Sequence, residues 1–177
     1  LVALNRLWGT GLDQAQLISL GLTLGADVPV FIRGVASWAE GIGDQLTPAV
    51  EMGYIPDENW FIVLFPGVCV STAKIFTHPE LTRDGPRITI ADFVSGQGEN
   101  HLQTIVMQMY PEVAEAVNWL SRHRPARMTG SGACVFAACP SQLEAQAILE
   151  ELPPAWSGFV ARGCNTSPLI KRLEETA

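Results

Sequence analysis

Apolar residues recur at helical spacing from the first position. Leu1, Leu4, Leu7 and Trp8 fall close to one face of a helix, and no Ser, Thr, Asp or Asn stands before them as a cap. Asp13 followed three positions later by Gln16 spells a capping box, with Leu12 and Leu17 placed to form its hydrophobic staple. The helix this predicts has a plausible stop at Gly21. The apolar run Val30 to Ile32 reads as a strand with Pro29 at its start, off a central ladder position. Gly34 turns the chain into a partner strand from Val35 to Glu40, ended by Gly41-Ile42-Gly43-Asp44.

The stretch from Pro48 to Asn59 holds Gly53, Pro56 and three acids, and is the natural boundary between an N-terminal part (1–57) and a C-terminal part (58–177). Beyond it, Trp60 to Phe65 reads as a buried strand closed by Pro66-Gly67, and Ser71 or Thr72 opens a loop or short helix reaching Phe76. Residues 77–98 are turn-rich. Asn100 to Met109 and Pro111 to His123 read as helices, the second with Pro at its first turn. Arg127 to Thr129 enters Gly130-Ser131-Gly132, and Ala133 to Cys139 follows as an apolar strand. Ser141 with Glu144 predicts a capping box opening a helix to Leu152, stopped by Pro153-Pro154. Gly158 to Gly163 is a last strand, and Ser167-Pro168 opens a terminal helix. The second half therefore reads β-α-α-β-β-α-β, an α+β arrangement with helices on one face of an antiparallel sheet.

Composition narrows the function classes. With 47% hydrophobic and 16% charged positions in 177 residues, the chain can build its own core. Its formal charge of −7 argues against a nonspecific nucleic-acid binder, which needs a basic face. No apolar run approaches the length of a membrane span, and no signal-peptide pattern opens the chain. Cys69, Cys134, Cys139 and Cys164 form no C-x-x-C pair and read as buried free thiols of a reducing compartment. The histidines show no metal-ligand spacing, so no metal site is expected.

Three segments could carry chemistry. Asp27, after Gly25-Ala26, reads on local grounds first as a loop or cap residue bonded to nearby amides, and second as a carboxylate projected from a strand end as a general base. Thr129-Gly130-Ser131-Gly132-Ala133 could form an amide nest for an anion, or simply a tight turn between strands. It is not a Walker A loop. In Ser71-Thr72-Ala73-Lys74-Ile75-Phe76, the aromatic ring could be a platform for a base or an ordinary core Phe, and Lys74 reads as a solvated charge.

Taken in order, Gly21–Phe31, Gly41–Asp44, Phe65-Pro66-Gly67 with Ser71-Thr72 and Phe76, and Thr129–Phe136 resemble the GHMP kinases. The G-A-D-V-P-V-F and T-G-S-G-A-C-V-F strings carry the specificity, and the resemblance runs from Leu1 almost to the C-terminus. It implies part of an N-terminal domain of the ribosomal protein S5 domain 2-like type over 1–57, and a ferredoxin-like C-terminal domain over 58–177. It further implies a cytoplasmic enzyme of non-mevalonate isoprenoid biosynthesis. Such an enzyme transfers the γ-phosphoryl group of ATP, carried as its Mg2+ complex, to a hydroxyl of a cytidine-diphosphate-linked methylerythritol.

By the same resemblance Asp27 matches the catalytic Asp, Thr72 and Phe76 match positions that hold the cytidine, and Gly130, Ser131, Gly132 and Ala133 match the motif beside the phosphates. The family's glycine-rich ATP loop and active-site Lys would precede Leu1. The chain is then expected to be a fragment without appreciable kinase activity of its own, with exposed apolar surface around Leu1, Leu4 and Trp8. Another small-molecule GHMP kinase and a non-catalytic ferredoxin-like binding module are the competing readings.

Overall fold

The computed structural model describes residues 1–175. In chain order the elements are α1 (Val2–Trp8), α2 (Gln14–Leu24), α3 (Val28–Arg33), β1 (Ser37–Glu40), β2 (Gln45–Pro48), a 3-10 turn (Ala49–Met52), β3 (Trp60–Phe65), α4 (Thr72–Phe76), α5 (Ile90–Val94), α6 (His101–Met109), α7 (Pro111–Ser121), β4 (Ala126–Met128), β5 (Val135–Cys139), α8 (Gln142–Glu150), β6 (Ser157–Arg162) and α9 (Pro168–Glu175). They pack as two units: Leu1–Asp57 together with residues 164–175, and Glu58–Gly163.

In the first unit, α2 starts as expected. The Asp13 carboxylate accepts the Gln16 amide at 2.8 Å, and the Gln16 side-chain oxygen accepts the Asp13 amide at 2.9 Å. Gly21 is not its stop, because the helix continues to Leu24 and closes on Gly25. Gly21 is instead where α3 lies against α2: a Cβ there would come within 2.5 Å of the Ile32 Cδ1 atom. The segment read as a strand, Val30 to Ile32, is part of that helix. Pro29 and Ile32 are buried while Phe31 is exposed, so the inward positions are three apart, as in a helix, and not two apart. A short apolar run does not discriminate the two periods, and here packing on α2 decides.

The expected pairing of 35–40 with 30–32 therefore does not form. Instead β1 pairs antiparallel with β2 through Trp38↔Thr47, around the Gly41–Asp44 turn. Residues 164–175, grouped with the second half on sequence grounds, pack in the first unit. Val35 bridges Thr166, the Ser167 amide donates to the Gly34 carbonyl at 2.7 Å, and Ile170 lies directly over Gly34. Helix α1 buries none of its residues, and Leu1, Leu4 and Trp8 are exposed as expected.

The second unit is an antiparallel sheet in the order β4-β5-β3-β6, so its strands, numbered by appearance, lie 2-3-1-4. This is the expected ferredoxin-like β-α-α-β-β-α-β path, with short α4 and α5 added. Alternate residues of β3 and β5 (Ile62 and Leu64; Val135, Ala137 and Cys139) enter one core. Val113, Ala116, Val117 and Leu120 of α7, Ile105 and Val106 of α6, and Ala145 and Ile148 of α8 complete it.

The Ser141 hydroxyl caps α8 by accepting the Glu144 amide at 3.2 Å. The Glu144 carboxylate, expected to return to Ser141, is instead paired with Arg124. Of the cysteines only Cys139 is buried; Cys134 is half-buried and Cys69 and Cys164 are exposed, which corrects the reading of buried thiols. Among the described residues, no helix is long and apolar enough to cross a membrane.

Candidate active site

The glycine loop joins β4 to β5. The Thr129 amide donates to the Cys134 carbonyl and the Gly132 amide to the Thr129 carbonyl, each at 2.9 Å. Gly130 and Gly132 have φ of +50° and +92°, which side-chain-bearing residues rarely adopt. Gly132 is needed for space as well, since a Cβ would lie 3.0 Å from the Met128 sulfur and 3.2 Å from a Val70 methyl. Two of the loop's amides are thus used internally. Those of Gly130, Ser131 and Ala133 carry no hydrogen bond among the described residues, and Ala133 is a buried residue. Such unspent donors are what an anion site offers.

Helix α4 runs beside this loop. The Thr72 and Ser131 hydroxyl oxygens are 2.8 Å apart, and the Ser71 amide donates to the Tyr110 hydroxyl at 3.3 Å. Within α4, Ile75 is fully buried and Phe76 is 55% exposed, so Phe76 is not a core residue. Arg83 stiffens the turn that follows. Its guanidinium donates to the carbonyls of Phe76 at 2.8 Å, His78 at 3.0 Å and Leu81 at 3.1 Å. Lys74 is exposed. A polar hollow of about 410 Å³ borders Asn100, Gln103, Thr104 and Arg127.

Residues 83–157 match the family model described as GHMP kinases C terminal. Over these residues the chain is similar to the C-terminal domain of the GHMP kinases. Over its whole length it is 52% identical to a 4-diphosphocytidyl-2-C-methyl-D-erythritol kinase of Halorhodospira halophila, covering 61% of that protein. It is 51% identical over 99% of its length to the kinase of the same name from Nitrosococcus oceani, again covering 61% of the relative. The chain thus spans about 61% of the length of these curated relatives. A crystal structure of 4-(cytidine 5'-diphospho)-2C-methyl-D-erythritol kinase superposes with a TM-score of 0.74 at 26% identity, over 92% of this chain and 62% of the other. Homoserine kinase from Cytophaga hutchinsonii superposes with a TM-score of 0.59 at 15% identity, over 93% of this chain and 62% of the other, which speaks to the fold alone.

Thr72, Phe76 and the Gly130–Ala133 loop lie in one packing unit, Glu58–Gly163, and Thr72 meets Ser131 directly. Asp27 belongs to the other unit. It stands immediately before α3, not at a strand end; it is exposed, and its carboxylate caps no amide of that helix. The Gly41–Asp44 turn approaches it, a Cβ on Gly43 falling 3.6 Å from the Asp27 Oδ1 atom. Sequence reasoning missed Arg83, Tyr110, Gln103 and the reach of Asn100. Only Asn100 carried a local signal, as the cap of α6, and that signal says nothing of its distant partners. Among the described residues, no three His, Cys, Asp or Glu side chains gather as a metal site.

Proposed function

We propose that the gene product carrying this sequence is an ATP-dependent kinase of the cytoplasm. Its acceptor is a hydroxyl of 4-diphosphocytidyl-2-C-methyl-D-erythritol, in non-mevalonate isoprenoid biosynthesis. The observation that carries this reading is the contact of Thr72 with Ser131. It joins the helix bearing an exposed aromatic ring to a loop with unspent amides, so a base platform and a phosphate cradle lie side by side. The names of the relatives and the T-G-S-G-A-C-V-F string support the same assignment.

Each residue then has a role. Phe76 stacks on the cytosine and Thr72 holds the cytidine beside it. The unspent amides of Gly130, Ser131 and Ala133 face phosphate oxygens. ATP arrives as its Mg2+ complex, so the metal enters with the substrate. The acceptor hydroxyl oxygen bonds to the γ-phosphorus as that phosphorus loses its bond to the β,γ-bridging oxygen. ADP leaves with the electron pair, and the hydroxyl proton passes to the Asp27 carboxylate. The exposed, non-capping state of Asp27 leaves its oxygens available for that proton.

The test is a coupled ADP-release assay on the complete gene product, with homoserine and mevalonate as comparison acceptors. Turnover is expected with the cytidyl substrate alone, and Asp27→Asn is expected to lower kcat by about 10²–10⁴-fold. Unchanged kcat in that variant would refute the catalytic role. The 177-residue chain assayed alone is expected to show no appreciable turnover.

A further inference from the structure

We infer that Asn100 is a positioning residue that aims the Ser131 amide of the glycine loop at the nucleotide phosphates, an inference resting on the kinase reading above. Asn100 stands before α6, and its side-chain oxygen accepts the Leu102 amide at 3.0 Å, an ordinary cap. Its side-chain nitrogen does something a cap does not need. It donates to the Met128 carbonyl at 3.1 Å and to the Gly130 carbonyl at 2.8 Å, 28 and 30 positions away. Both amide hydrogens and the oxygen are thereby used. Ser, Thr or Asp would cap the helix equally well, but none offers two hydrogens to two carbonyls, and Asp would face them with negative charge.

The consequence follows from peptide geometry. The carbonyl of residue 130 and the amide of residue 131 share one plane and point in opposite directions across a trans peptide. Pinning the Gly130 carbonyl toward Asn100 therefore turns the Ser131 N–H away from it, and that N–H is one of the unspent donors of the loop. The start of the loop is held as well: the Gln103 side-chain oxygen accepts the Met128 amide at 2.8 Å, and the Thr129 amide is tied to Cys134 at 2.9 Å. A glycine on each side of Ser131 would otherwise let this peptide rotate.

Asn100→Ser and Asn100→Asp both keep the helix cap and remove the two donors. In the complete gene product each is expected to lower kcat about 10–100-fold, since a preorganised amide is misaimed. KM for the cytidyl substrate should stay within about twofold and the melting temperature close to that of the parent, because the cap persists. The Ser131 amide resonance in the chain's NMR spectrum should move in both variants, whether or not the parent is a kinase. An active parent with unchanged kcat in both variants would overturn the positioning role and leave the kinase reading standing. An inactive parent would remove the kinase reading; an unmoved Ser131 resonance would then overturn the positioning role separately.

Discussion

The hydroxyl oxygens of Thr72 and Ser131, 59 positions apart in sequence, lie 2.8 Å from one another. The pair ties a five-residue helix to the glycine loop. Because Thr72 is exposed, the bond itself is worth about 0.5–1.5 kcal/mol. Removing it should act on the two segments jointly: Thr72→Ala, Ser131→Ala and the double variant should be non-additive in kcat/KM by about 0.5 kcal/mol or more. Strict additivity in a double-mutant cycle would show that the two segments work independently.

Gly130 and Gly132 differ in what forbids a side chain. At Gly130 only the backbone resists, since a Cβ meets nothing within 4 Å. Gly130→Ala should cost about 1–2 kcal/mol. At Gly132 the Cβ would also press on Met128, Val70 and Val106. Gly132→Ala should lose about 1–3 kcal/mol more through overpacking. Urea midpoints in the chain would rank the two, and equal losses would contradict the crowding at residue 132.

Phe76 is exposed at a helix end, so Phe76→Ala should change stability by no more than about 0.5 kcal/mol. If the ring stacks on cytosine, the same substitution should cost about 1–3 kcal/mol in binding, a 5- to 150-fold rise in Kd for a cytidine diphosphate. Titration calorimetry with the complete gene product measures this directly. Unaltered affinity would remove the ring from the site.

Glu144 links stability to pH. Its carboxyl is held below the usual glutamate range first by the hydrogen bond from Arg124 and then by that residue's charge, with burial opposing. A folded-state value lowered in this way gives stabilisation that is full above the ordinary value of 4.5 and fades as pH falls through the lower folded value. The stability difference between the parent and Glu144→Gln should therefore shrink as pH falls below the ordinary value of 4.5. A difference that stays constant on acidification through that value, measured by chemical denaturation, would show that the ion pair does not set it.

Much of the second unit was legible in sequence because its signals are local and redundant. Trp60 to Phe65 is an apolar run of strand length between turn residues, and it is the strand observed. Ser141 before its helix is a cap written in neighbouring residues, and its hydroxyl accepts the Glu144 amide; in the first unit the Asp13–Gln16 box forms in the same way. The order β-α-α-β-β-α-β followed from such pieces, and the glycine string marked a loop where glycine is sterically required.

What sequence could not decide was set by partners far along the chain. Val30 to Ile32 became helical because Gly21 opened a groove on α2 for Ile32, and a run of three apolar residues carries no period of its own. Glu144 turned to Arg124 instead of its own helix start, because a guanidinium 20 positions away offered a charged donor. Thr72 met Ser131, and Asn100 reached Met128 and Gly130, only once β3 and β5 had paired and α6 had covered their core face. The sequence by itself determined the sheet strands and long helices of the second unit, their order and the residue types capable of chemistry, since caps, periods and glycine conformations depend on neighbours a few positions away. The tertiary structure alone decided which hydroxyl, amide and ring share a site, because bonds that short between residues dozens of positions apart exist only after the intervening chain has packed.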